Sequence, residues 1–196
     1  GYHAWTIAMY QNEICKRVDP LKKPLHRFFK DEIADALDID FHIGLPKHIP
    51  QHKLALLIPF LPQEAFTGKQ NTDLGRIMKG ILNPFSHFYK SLLNPPHALN
   101  LNNFNNRKYV EIPNGSAHGF GNARSIAQTY NEFATGGKTL HIRKETLTAL
   151  EAAPIHPKHG KNDLVLNVDI PFSLGFAKPS EFQNFGINSR SYGSFG

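Results

Sequence analysis

Tyr109-Val110-Glu111-Ile112-Pro113-Asn114-Gly115-Ser116-Ala117-His118-Gly119-Phe120-Gly121 is the stretch whose reading decides the fold, together with the helix signal that follows it. Pro113-Asn114-Gly115 and Gly119-Phe120-Gly121 are turn chemistry, because glycine and asparagine accept backbone conformations that other residues resist. Ala123, Ile126, Ala127, Tyr130, Phe133 and Ala134 then recur at helical spacing, which predicts an amphipathic helix. Gly136-Gly137 is its stop signal, since glycine enters the left-handed region at no steric cost.

Downstream, Leu140-His141-Ile142 reads as a short extended piece and Lys144 to Ala152 as another helix closed by Pro154. Leu164 to Val168 and Phe172 to Phe176 read as strands. Upstream, Ala4, Ile7, Ala8, Ile14, Cys15 and Val18 predict a helix over 4–18, ended by Pro20. Pro24 suits the first position of a second helix, where its missing N–H costs nothing. That helix carries an apolar stripe of Leu25, Phe28, Phe29, Ile33, Ala36 and Leu37. Prolines 46, 50, 59, 62, 84, 95 and 96 break up the middle, leaving brief helices at 77–82 and 85–93 and an Asn-rich loop at 100–106. The order predicts an α+β chain with strands concentrated at its end. Residues 1–196 are expected to form part of one domain, with a loose insertion or cap at 46–106 and a return to the α/β lobe over 107–196.

Composition excludes several classes. The chain has 196 residues, 22 Lys and Arg against 16 Asp and Glu, and a net charge of +6. Its basic residues are interleaved with acidic ones, without the basic stripe and aromatics that nucleic-acid binding needs. No run reaches the length of a membrane span. A single cysteine, Cys15, excludes an internal disulfide framework, and its place on an apolar helix face predicts a core residue. The 11 histidines raise a metal reading. Pro50 between His48 and His52 spoils the helix that would align them, and His156 and His159 lie in a Pro/Gly/Lys loop. Neither a metal nor a cofactor is expected. Localisation and oligomeric state are not encoded in any of these features.

Nucleophile motifs are missing. There is no Gly-x-Ser-x-Gly elbow and no Ser-x-x-Lys. Thr135-Gly136-Gly137-Lys138 has the second spacing with threonine but is a helix terminus, and Gly119-Phe120-Gly121 lacks the third glycine of a dinucleotide loop. On its own residues the chain shows no complete active site.

A resemblance carries further than periodicity. Ile112-Pro113-Asn114-Gly115-Ser116-Ala117-His118-Gly119, then Asn122-Ala123-Arg124-Ser125-Ile126-Ala127 and Gly136-Gly137, resemble the β-lactamase-related serine hydrolases, the group of class C β-lactamases, penicillin-binding-protein-like proteins and esterases. Leu140 to Leu147, Ser173-Leu174-Gly175-Phe176, Phe185-Gly186 and Tyr192-Gly193-Ser194-Phe195-Gly196 resemble the stretches that follow in that family. Gly1-Tyr2-His3-Ala4 through Asp19, and Leu37 to Pro46, resemble its helical lobe. The likeness spans nearly the whole chain.

The resemblance implies a β-lactamase/transpeptidase-like fold and a serine acyl-enzyme mechanism on an ester, amide or peptide. In that family a Ser-x-x-Lys serine attacks the acyl carbonyl while the lysine and a tyrosine manage its proton. Tyr2 matches the tyrosine and is the implied catalytic residue, with Ala4 where class C enzymes carry asparagine. His118 matches a pocket-lining position and is the implied substrate contact. The family's Ser-x-x-Lys is expected upstream of Gly1, and its Lys-Thr-Gly or His-x-Gly motif after Gly196, so the chain is expected to be an interior piece of a larger domain. His42-x-Gly44 has the second spacing but is expected on no strand. The expected partner is a small-molecule or peptide acyl substrate. The alternatives are a non-catalytic relative that keeps the fold for binding or filament assembly, and an unrelated helical interaction module.

Overall fold

A computed structural model describes residues 2–58, 73–154, 160, 162–180 and 183–194. It mixes helices with short antiparallel strand pairs, an α+β arrangement at the coarse level. The chain divides into two compact units, one from His3–Phe60 and Leu92–His141, the other from Gly1–Tyr2, Leu61–Ser91 and Ile142–Gly196. The 46–106 stretch is thereby shared between them.

In the first unit, helix α1 spans Ile7–Val18 and buries Ala8 and Cys15, seven residues apart on one face. Lys16 and Arg17 sit in its last turn, where cations complement the helix dipole. Pro24 caps helix α2, Leu25–Phe29, from just outside rather than as its first residue. Pro24 has an extended ψ of 155°, which puts it outside the helix, and Asn12 Oδ1 accepts the otherwise orphaned Leu25 N–H at 3.0 Å. Helix α2 runs into a π-helical turn over Lys30–Ala34, which keeps Ala34 buried.

Strand β1, Phe41–Ile43, pairs antiparallel with β2, Gly119–Gly121, with His42 opposite Phe120. His42 therefore lies on a strand, which corrects the sequence expectation. The pairing works because β2 has no side chains where Phe41 lies. A Cβ on Gly121 would fall 2.5 Å from Phe41 Cδ2, and one on Gly119 2.8 Å from its Cζ. Helix α3 is a single turn, Arg107–Val110, capped by Asn106 and ending on the fully buried Val110. Helix α4, Ala123–Thr135, forms where its spacing places it, but the expected apolar stripe is not its buried face. Ile126 and Tyr130 are exposed, while Ser125, held by the Asn122 cap, and Glu132, held by the turn beyond the helix, are buried. Asn122 Oδ1 accepts from Ser125 N, and Gly136 takes φ 98° as the left-handed stop.

Beyond that stop the Leu140 region is a turn rather than an extended piece. Glu132 Oε2 gathers the N–H groups of Thr139 and Leu140 at 2.9 and 3.1 Å, and His141 adopts φ 52°. Those two bonds, with Leu140's the largest cause, hold the buried Glu132 carboxyl below its usual pKa.

The second unit contains helices at Asp73–Leu82 and Lys144–Glu151, and most of a shorter one at His87–Leu92. Its strands are Asn162–Asp163 with Val168–Asp169, and Phe172–Ser173 with Phe176–Ala177. Leu164 to Asn167 is the turn of a hairpin instead of strand. Asp163 Oδ1 collects the N–H groups of Val165 and Leu166 at 2.9 and 3.0 Å, and Asn167 takes φ 57°. Leu174 and Gly175, at φ 48° and 87°, likewise interrupt the expected second strand. Lys178 is buried with its Nζ donating to Leu150 O near the end of helix Lys144–Glu151, and it lies 5.0 Å from the Tyr192 ring centre. A cation there meets carbonyls the helix leaves unpaired.

Candidate functional site

The 112–121 turn is built by its own polar side chains. Asn114 Oδ1 accepts from Ser116 N at 2.8 Å, and Asn114 O accepts from His118 N at 2.8 Å. Ser116 Oγ accepts the Ala8 N–H at 3.1 Å, satisfying an orphan donor in the first turn of α1. Gly115 lets this approach happen, since a Cβ there would lie 3.1 Å from Leu25 Cδ2. Gly44 N donates to His118 O and Leu45 N to Val110 O, at 2.7 and 2.8 Å, which ties the turn to the β1 segment.

His118 sits inside this frame and is only 3% exposed. Its ring is 4.8 Å from Tyr109, 5.6 Å from Phe104 and 6.4 Å from Phe120, centre to centre. Nδ1 lies 2.6 Å from Ile112 O. A carbonyl oxygen only accepts, so Nδ1 carries the proton and Nε2 presents a lone pair. That Nε2 has no hydrogen-bond partner among the described residues. Burial pushes the imidazole pKa down, partly opposed by the bond to Ile112, so the neutral ring is favoured. In this geometry His118 clamps the turn from within, and its ring does not reach the surface.

Tyr2 belongs to the other unit. It is 39% exposed, with its ring edge-on to Phe88 at 5.9 Å. Burial first, and the negative charge of Asp163 second, push its phenol pKa up. The structure thus assigns the two residues implied by resemblance to different compact units.

A cleft of about 730 Å³ opens in the first unit beside the turn, lined by Asp40, His42, His48, Lys53, Phe120 and Asn122 among others. Asp40 Oδ1 and His42 Nε2 are 3.1 Å apart within it. An aspartate two residues from a histidine is a signal the sequence does contain, but only the β1–β2 pairing, which joins distant residues, places the two in one cleft. No hydrogen bond from a serine or cysteine to this pair is seen among the described residues. Gly44, at φ 79°, is held with its Cα side 3.0 Å from Pro113 as judged by an added Cβ, so His42-x-Gly44 is a packed corner of the fold. Cys15 is buried, its thiol bonded to Lys23 O at 3.5 Å and raised in pKa chiefly by burial. Among the described residues no group of three or more His, Cys, Asp or Glu could hold a metal ion. His156 and His159 lie outside the described residues.

The chain matches no protein-family model and no curated protein.

Proposed function

We propose that the chain carries part of the acyl-transfer machinery of a β-lactamase-related serine hydrolase, acting in the full-length protein on an ester, amide or peptide. The observation that carries this reading is the hydrogen bond from Ala8 N to Ser116 Oγ. It joins the helix that follows Tyr2-His3-Ala4 to the Pro113–Gly121 turn, two of the stretches that carry the resemblance. The self-capped turn, the Asn122 cap and the Gly136 stop support it further.

In this mechanism a serine hydroxyl attacks the acyl carbon and passes its proton to a lysine–tyrosine pair, and water later releases the acyl group. Tyr2 is the tyrosine. With its pKa raised by burial and Asp163 it is a neutral phenol, and it becomes a proton acceptor only beside an ammonium group. The lysine of a Ser-x-x-Lys supplies such a group, and these 196 residues contain no such motif. Ala4 removes the amide that would grip a β-lactam, which favours simple esters or peptides as substrates.

The test uses the full-length protein. A fluorophosphonate probe is expected to label a serine, and Tyr2→Phe to lower kcat/KM for a p-nitrophenyl ester by about 10²–10⁴-fold. The 196-residue chain alone is expected to form no adduct. A folded full-length protein that resists labelling would instead be a non-catalytic scaffold, and unchanged turnover in Tyr2→Phe would remove the tyrosine from the mechanism.

A further inference from the structure

Residues 41–58 carry Lys47 and Lys53 with His42, His48 and His52, and no aspartate or glutamate. Lys47, His48, His52 and Lys53 are all exposed. The segment leads into Leu54-Ala55-Leu56-Leu57-Ile58, where Leu56, Leu57 and Ile58 are 74%, 45% and 79% exposed. Single surface apolar residues need no explanation, whereas Leu56, Leu57 and Ile58 are consecutive and all exposed, the kind of contiguous apolar feature found at interaction sites.

The backbone beneath this patch is held in place. Asn105 accepts from Leu57 N at 2.9 Å and donates to Leu57 O at 2.8 Å. Gln51 Nε2 donates to Asn105 O at 3.3 Å. Arg107 grips the approach at Ile49 O and Pro46 O while its Nε bonds Glu111. Both main-chain polar groups of Leu57 are thus paired, while the side chains of Leu56, Leu57 and Ile58 stay exposed. Of the nearby carboxylates, Glu111 is engaged by Arg107 and Asp40 by His42, while Asp38 shares the cleft with Lys53.

We propose that Lys47–Ile58 is a peripheral docking edge for an anionic lipid bilayer. Leu56, Leu57 and Ile58 enter the boundary between headgroups and acyl chains, and Lys47 and Lys53 meet the negative headgroups. Charge complementarity selects this occupant, because a bilayer surface offers an apolar layer and anionic groups side by side. An apolar protein groove would bury the adjoining lysines without a counter-charge. The edge lies on the membrane, and among the described residues no helix is long and apolar enough to cross one. The proposal does not depend on the acyl chemistry.

Co-sedimentation of the chain with phosphatidylcholine vesicles, with and without phosphatidylserine, tests it. Binding is expected only with phosphatidylserine and is expected to weaken with salt. Lys47→Gln and Lys53→Gln should each lower the partition coefficient about fivefold. Leu56→Ser with Ile58→Ser should lower it at least about tenfold. These side chains are exposed, so an unchanged circular dichroism spectrum and urea midpoint separate lost binding from lost folding. Equal binding to neutral vesicles, no binding to either, or full binding by the double serine variant overturns the proposal. So does self-association that the serine pair abolishes, which would assign the patch to a second copy of the chain. Capture of an acidic peptide without vesicle binding would assign it to a protein partner and equally overturn it.

Discussion

Replacing His118 separates its packing from its proton chemistry. His118→Ala removes a ring that is 3% exposed among Tyr109, Phe104 and Phe120. Truncating a buried aromatic-sized side chain costs about 3–5 kcal/mol in transfer and cavity terms. Losing the bond to Ile112 O adds about 1 kcal/mol, while removing the unpartnered Nε2 returns about 1–2 kcal/mol. The net expectation is a loss of about 2–5 kcal/mol. His118→Phe refills the space, loses the same bond and also removes the orphan atom, so it should fall within about 1 kcal/mol of the parent. The pH arm then isolates the imidazole. Burial holds the folded pKa below the ordinary 6.5, so the unfolded chain binds the proton more readily. Stability from the neutral ring is therefore fully present above 6.5 and is lost as pH falls through the lower folded value. His26, lowered by burial and by Arg27, has the same sign but remains in both proteins. Urea unfolding at about pH 8 and about pH 5 should show a smaller acid loss in His118→Phe than in the parent, by at most about 1.4 kcal/mol per pH unit crossed. Identical pH dependence in the two proteins would refute the buried neutral ring, and a His118→Ala loss below about 1 kcal/mol would refute its packing role.

Three further substitutions test the frame of the first unit. Gly121→Ala places a Cβ 2.5 Å from Phe41 Cδ2 and 2.6 Å from Asp40 O. The second neighbour is backbone and cannot swing aside, so a loss of about 1–3 kcal/mol in urea unfolding is expected. Gly136→Ala meets no atom within 4 Å and should cost only about 1 kcal/mol through its φ of 98°. Arg107→Lys loses the fork that reaches Pro46 O, Ile49 O and Glu111 together. It should cost about 2 kcal/mol and speed trypsin cleavage after Lys53. Unchanged cleavage would mean that Arg107 does not order that segment.

Local signals in the sequence were enough where the physics is local. The Ala123–Thr135 helix has its apolar spacing, its Asn122 cap and its Gly136 stop within fifteen consecutive positions. Pairing of Phe41–Ile43 with Gly119–Gly121 was not legible, because it joins distant residues through a glycine strand of poor β propensity. Leu164-Val165-Leu166 looks like strand by composition. One upstream carboxylate, Asp163, overrides that preference by gathering two N–H groups into a turn. The π-turn after Phe29 has no residue signature. Of the candidate site residues, Tyr2 and His118 came from the resemblance. Asp40 and His42 needed the strand to be seen as a pair.

Tyr2 links the local chemistry to the proposed reaction. A phenol ordinarily releases its proton near pH 10, and here burial and Asp163 both push that value up. Left to these surroundings, Tyr2 is a donor and cannot take a proton from a serine. An ammonium group within about 4–6 Å would reverse the balance, since opposite charge favours the phenolate. In the proposed reaction the lysine of a Ser-x-x-Lys is such a group. The proposed role of Tyr2 and the expected inertness of these 196 residues are thus one electrostatic argument: the tyrosine becomes a base only when the nucleophile's lysine is beside it.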